Sequence, residues 1–186
     1  MALTKQQIEN IQIDHGLVFV NYGEPDQKQL GPTRGGGEFV VTANIRNIEY
    51  DGRRGRTKGT QVIDELDARL SVTHLDASLE TLKLAMPWAE YDETAKKLIC
   101  GGKSVGLIPD EAYLKNVTMF AKVVGGGYKK ITLYNAMSES EFALTAAPKN
   151  EGEMPLEVYA HWDPMDDDAV LYDIEDIDAI EAPPAG

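Results

Sequence analysis

The feature that most restricts the fold is a pair of long alternating segments joined by a basic loop. Residues 39–50 (FVVTANIRNIEY) and 60–75 flank residues 51–59 (DGRRGRTKG). Phe39, Val41, Ala43 and Ile45 fall on one face of the first segment; Leu66, Ala68, Leu70 and Val72 fall on one face of the second. The opposite faces carry Thr42, Asn44 and Arg46, and Asp67, Arg69, Ser71 and Thr73. A period of two marks strands that are apolar on one side and wet on the other. The apolar phase then slips to Ile48 and Tyr50, which predicts a bulge near Arg46 and Asn47. Strands usually have about 5–6 residues. A strand as long as 39–50 spans roughly 40 Å at about 3.3 Å per residue, and a domain of this length has a radius of gyration of roughly 16 Å. The hairpin 39–75 therefore crosses the whole domain or projects from it. A projecting, half-wet hairpin has edges that need covering, and another subunit is the obvious cover.

The other segments also read mostly as strands. Residues 17–22 (LVFVNY), between Gly16 and Gly23, form a buried strand, and the Gly- and Pro-rich stretch 23–37 reads as a loop. A short helix follows the hairpin: Leu75, Leu79, Leu82 and Met86 repeat at helical spacing, Asp76 can cap it and Pro87 stops it. Residues 117–124 and 128–135 form a hairpin closed by Gly125, Gly126 and Gly127. Segments 98–100, 142–146, 156–162 and 169–174 complete a set of seven or eight strands. The fold class is mainly β: a β-sandwich or barrel with one flanking α-helix and a long projecting hairpin. Its organisation is an N-terminal arm (1–14), a β domain (15–174) and an acidic C-terminal arm (175–186).

Charge narrows the function. The 186 residues carry a formal net charge of −13. From residue 161 to 186 there are nine acids and no Lys or Arg, so the other 160 residues sit near −4. Such a balance argues against tight nucleic-acid binding and against docking on anionic lipid. The acidic end is expected as an exposed tail or edge strand. The N-terminus lacks a signal-peptide core and no run reaches the ~18 apolar residues of a membrane helix, so the expectation is a protein made in the cytoplasm with no membrane partner.

No motif amounts to an active site. Gly102-Lys103-Ser104-Val105-Gly106 matches G-x-S-x-G, but Val105 to Pro109 is a poor helix start and the chain lacks the βα alternation of a hydrolase sheet. A small serine hydrolase using Ser104 stays as the unfavoured alternative. Lys97 occupies the position where a phosphate-binding loop needs glycine. Asp163 and Asp166, Asp167 and Asp168 lack the calcium-loop pattern. His15, His74 and His161 lack zinc spacing, and Cys100 is expected as a buried small hydrophobe. No enzyme activity, cofactor or metal is expected. Arg53, Arg54, Arg56 and Lys58 form the basic cluster at the hairpin tip. No aromatic interleaves them for base stacking, and an acidic surface on a like subunit suits them better than phosphate.

Several segments in order resemble the major tail tube proteins of long-tailed bacteriophages with non-contractile tails. They are 14–23 (DHGLVFVNYG), 30–36 (LGPTRGG), the helix 77–86 with Pro87, 108–117 (IPDEAYLKNV) and the hairpin ending 128–136 (YKKITLYNA). The resemblance implies a structural virion protein that self-assembles into stacked hexameric rings. The rings form the tail tube, a conduit for DNA ejection, located in the virion tail and assembled in the host cytoplasm. It implies partners in the tape measure, tail terminator and distal tail proteins, and DNA that passes without specific binding. A tail terminator or capsid-decorating protein is the alternative in the same viral setting. Hairpin 39–75 and its loop match by position the ribbon of a shared inner barrel and a contact to the next ring. A pore wall that does not grip DNA should be polar and balanced in charge. Thr42, Asn44, Arg46, Asp67, Arg69, Ser71 and Thr73 are the lumen-facing candidates, with Glu65 or Asp67 expected to neutralise the two arginines. Arg53, Arg54, Arg56 and Lys58 are the inter-ring candidates; the sequence leaves open whether they touch DNA or a subunit.

Overall fold

Ten strands, two short α-helices and two 3-10 turns (Gly102–Ser104 and Asp110–Ala112) make up the secondary structure of the computed structural model, which describes residues 3–13, 16–52, 55–144 and 151–181. The strands are β1 (Leu17–Val20), β2 (Lys28–Leu30), β3 (Thr33–Asn47), β4 (Gln61–His74), β5 (Glu90–Asp92), β6 (Lys97–Ile99), β7 (Leu114–Lys122), β8 (Tyr128–Ser138), β9 (Met154–Tyr159) and β10 (Tyr172–Ile177). The helices are α1 (Lys5–Glu9) and α2 (Leu79–Ala85). Eight strands form one antiparallel sheet in the order β2-β1-β7-β8-β9-β4-β3, with β10 also on β8; β5 and β6 make a separate hairpin.

The large sheet folds into two layers because β8 belongs to both. Its residues Tyr128 to Ala136 pair with β7 and Tyr128 to Leu133 also with β10, whereas its last residues, Met137 and Ser138, pair with β9. Just before this change of partner Asn135 takes a left-handed conformation (φ 46°), which asparagine tolerates better than most residues. Its carbonyl bonds the His161 ring at 2.9 Å, so the corner is also braced from the chain after β9. Asn135→Gly should leave stability nearly unchanged, whereas Asn135→Val should cost about 1–2 kcal/mol in urea unfolding.

Val18, Val20, Leu70, Val72, Val117, Met119, Leu133, Met154, Leu156 and Val158 fill the space between the layers and are all buried. The sequence periodicity places them there: alternate residues of β1, β4, β7 and β9 face the same interior. Phe39 of β3 and Tyr172 of β10 meet at 5.4 Å between ring centroids, one link between the layers. Helix α2 packs Leu82, Leu84 and Ala85 on this core. Ser78, not the expected Asp76, is its N-cap; Asp76 stands two residues earlier and accepts bonds from the Ser78 N–H and from the Ser78 and Thr81 hydroxyls. Those bonds, the backbone one first, hold the Asp76 carboxyl below its ordinary range.

His74 is fully buried at the end of β4, and neither ring nitrogen has a partner among the described residues. Burial holds the imidazole below its ordinary 6.5, and Asp76 offsets part of this. The unfolded chain therefore takes up a proton at higher pH than the folded one. Stability should be complete above about pH 6.5 and fall as the pH drops through that value. Thermal melts of His74→Leu should lack that acid-side decline.

Several expectations are corrected. The stretch 23–37 is not a loop throughout: β2 lies within it and β3 begins at Thr33. Gly35 and Gly36, at φ +79° and +80°, are two extra residues between the Arg34–Thr73 and Gly37–Val72 pairs, a conformation glycine adopts freely. Residues Phe142 to Leu144 carry no strand, although Phe142 packs on the core; residues 145 and 146 lie outside the described residues. Cys100 is exposed, because it follows the short β5–β6 hairpin outside the two layers. The arm boundaries are proposals. In the N-terminal arm the carbonyls of Glu9, at the end of α1, and of Ile11 accept from the Gly125 and Val124 N–H groups, and the Ile13 N–H donates to the Lys122 carbonyl; β10 runs three residues into the acidic arm.

Candidate functional site: a ribbon that leaves its own sheet

Strands β3 and β4 pair along nearly their whole length, from Thr33–His74 to Asn47–Gln61. On its other side β4 is covered by β9 only from Arg69 to His74, with one further bond from the Ala160 N–H to the Ala68 carbonyl. Beyond Ala68 the two strands continue alone. No described strand pairs with the outer edge of β3 or with the second edge of β4 from Gln61 to Asp67. Those seven residues extend roughly 23 Å. An isolated two-stranded ribbon is marginal in water, so this element is built for a partner.

The apolar face shows the same division. Leu70, Val72 and Ala68 are buried at the base, whereas Ile45 is 54% and Ile63 61% exposed near the tip. These residues share one face: Val41 stands opposite Ala68, Ala43 opposite Leu66 and Ile45 opposite Ile63. The predicted bulge exists, but it lies between Asn44 and Ile45, and the extra residue is Asp64 on β4. The break therefore sits slightly earlier than the slip to Ile48 indicated, and on the partner strand.

The polar face carries the lumen-facing candidates. Thr42, Asn44, Arg46 and Asp67 are exposed; Arg69, Ser71 and Thr73 are half-buried. Thr42 stands opposite Asp67, and Asn44 opposite Glu65. Val40, half-buried opposite Arg69, is an apolar member of this face that residue-type patterning left out. The arginines find acids other than those expected. Arg46 donates to both oxygens of Asp64 at 2.8 and 3.1 Å, because the bulge brings the extra carboxylate beside it. Arg69 reaches across to Glu157 of β9, while Glu65 accepts from the Asn44 amide at 3.3 Å. Pairing with Asp64 raises the Arg46 guanidinium above its ordinary value.

At the tip, Ile48 N–H bonds the Thr60 carbonyl at 2.7 Å and closes the loop. Residues 47–51, Gly55 and Arg56 enclose a cavity of about 510 Å³. Of the inter-ring candidates, Arg56 and Lys58 are exposed and have no acidic partner among the described residues. Arg53 and Arg54 lie outside the described residues.

The rival chemistry is not assembled. Ser104 ends a 3-10 turn, Gly102–Ser104, and its Oγ accepts from the Gly101 N–H at 3.2 Å. His161 is committed to the Asn135 carbonyl and to Glu139 at 2.6 Å. Among the described residues no three His, Cys, Asp or Glu side chains converge as a metal site, and no helix is long and apolar enough to cross a membrane.

No family model matches the chain, and no curated protein matches it. Several solved structures resemble it, two of them as follows. The virion of a native gene transfer agent particle matches with 10% identity and a TM-score of 0.46, covering 94% of this chain and 99% of that one. The six-fold symmetrised baseplate of the anti-feeding prophage matches with 14% identity and a TM-score of 0.48, covering 80% and 91%.

Proposed function

We propose that this chain is a structural tail protein of a phage-type virion. Identical copies assemble into hexameric rings that stack into the tail tube. The observation that carries this is the β3–β4 ribbon, which runs past its own sheet with both edges open and an apolar face in water. Self-pairing satisfies both at once: a neighbour's strand completes the open backbone edge, and apolar contact covers Ile45 and Ile63. The ordered segments that resemble tail tube proteins supply the kind of assembly. The apolar N-terminal arm, with Leu3, Ile8, Ile11 and Ile13 exposed, offers a further contact between copies.

In that tube the face bearing Thr42, Asn44, Arg46, Asp67, Arg69, Ser71 and Thr73 lines the lumen. Each described arginine on it is already held by a carboxylate, Asp64 for Arg46 and Glu157 for Arg69. Such a wall releases few counterions from DNA and lets it slide. Tape measure, terminator and distal tail proteins are the other partners, and the virion tail is the location. Negative-stain electron microscopy of the purified chain at high concentration tests the proposal. Rings or hollow tubes are expected; a monomer under all conditions, tail-assembly partners included, overturns it.

A further inference from the structure

Away from the ribbon, the end of α2, the start of β5 and the stretch 103–109 enclose a pocket of about 370 Å³. Its lining shares no residue with β3 or β4. The size is at the low end for small-ligand sites. Trp88 and Tyr91, both half-buried, give the wall aromatic surface, and Lys83, Glu90, Lys103 and Ser104 give it polar groups.

The aromatic wall is held in place by its own surroundings. Lys83, in the last turn of α2, reaches past the helix end and donates to the carbonyl of Pro87 at 2.8 Å and to that of Ala89. These two carbonyls flank Trp88. The Ala89 N–H bonds the Met86 carbonyl at 2.9 Å, so the backbone that carries the indole is fixed on both sides. A surface ordered in advance loses little freedom on binding. The Lys83 ammonium has three N–H donors. Two are used on the turn, and the third has no acceptor among the described residues.

The other polar groups are also free to bond. Lys103 is exposed and has no acidic partner among the described residues, and Glu90 has no basic one. Ser104 Oγ accepts from the Gly101 N–H, which leaves its own hydrogen to donate. Two ammonium groups against one carboxylate make this a net positive concavity in a chain of net charge −13. A matching ligand needs an apolar face for the aromatic wall, hydroxyls that donate to Glu90 and accept from Ser104, and a negative group for the lysines. A sugar ring with a carboxylate has all three, because its C–H face stacks on aromatic rings. A phosphate ion lacks the apolar face, and a neutral sugar leaves the lysines unanswered.

We propose that this pocket binds an acidic sugar unit, a pyranose ring carrying a carboxylate. The ring lies against Trp88 and Tyr91, and the carboxylate meets Lys103 and the third N–H of Lys83. The inference is independent of the tail reading, which rests on the ribbon.

Saturation-transfer NMR on the full chain, with methyl glucuronide and methyl glucoside as probes, tests this. The glucuronide should bind about tenfold more tightly than the glucoside. Lys103→Gln should cut that preference about threefold and leave the glucoside unchanged, as suits an exposed charge. Glu90→Gln should strengthen the glucuronide about threefold by removing a like charge. Trp88→Ala should abolish transfer to both probes. Lys103 and Glu90 are exposed, so their variants test the site even where Trp88→Ala fails to fold. No transfer to either probe overturns the site, and so does transfer that Lys103→Gln and Glu90→Gln leave unchanged. Displacement of the glucuronide by equimolar inorganic phosphate overturns it in favour of a simple anion site.

Discussion

Replacing residues 45–64 with Asn-Gly should give a well-folded protein that no longer assembles. Asn44 and Glu65 are directly opposed in the antiparallel ladder, and a two-residue Asn-Gly loop suits that geometry. The excised part contains the bulge, the tip loop and the most exposed apolar residues of the ribbon, Ile45 and Ile63. None of the buried core residues lies within it. The melting temperature of the shortened chain should therefore stay within a few degrees of the parent, while sedimentation and electron microscopy show monomer only. Ile63→Asp is the minimal version. It adds a charge to a face that is wet in the isolated chain and covered in the proposed assembly, so its cost should fall on association. Assembly that survives the twenty-residue excision would remove the ribbon from the account.

The second large effect lies on the same strand with the opposite outcome. Leu70→Ala should destabilise the isolated chain by about 3 kcal/mol, within the range for a fully buried leucine. Leu70 is 0% exposed, opposite Phe39 on one side and Val158 on the other. No water can enter to compensate the lost contacts, and the surrounding strands are hydrogen-bonded and cannot collapse onto the void. Ile63→Ala, seven residues toward the tip, should cost the isolated chain almost nothing because Ile63 is already in water. Equilibrium denaturation of the two variants measures the difference directly. Equal destabilisation would mean that the tip is packed against its own body in solution.

The strands were legible because period-two patterning depends only on residue order. Phe39, Val41 and Ala43 did fall opposite Leu70, Ala68 and Leu66, as their spacing required. The bulge was legible as a phase slip, though not its address, since a slip in one strand is equally produced by an extra residue in the partner. Glycine-rich stretches misled in a different way. Gly35 and Gly36 look like loop residues, but their freedom at positive φ is used inside a continuing strand. The helix cap was misplaced by two residues because Asp76 and Ser78 are both good caps by type. Cys100 was misplaced because a lone small residue carries no periodicity to say which side of a short hairpin it takes.

The candidate site divides along the same line. Residue order alone determined that this chain carries an overlong hairpin with one polar and one apolar face, a basic tip and an acidic end. Those are properties of consecutive residues, and local sterics and hydration act on them wherever the chain goes. Only the tertiary structure decided that β9 stops covering β4 near Ala68, that Asp64 and Glu157 hold the two arginines, and that Glu175 and Asp176 of β10 pair with lysines while the acids at 163–168 find no basic partner among the described residues. These depend on which distant segments become neighbours. Burial and charge pairing are set by that packing, with partners 88 residues apart for Arg69 and Glu157 and 119 apart for Arg34 and Glu153, and no local pattern encodes them.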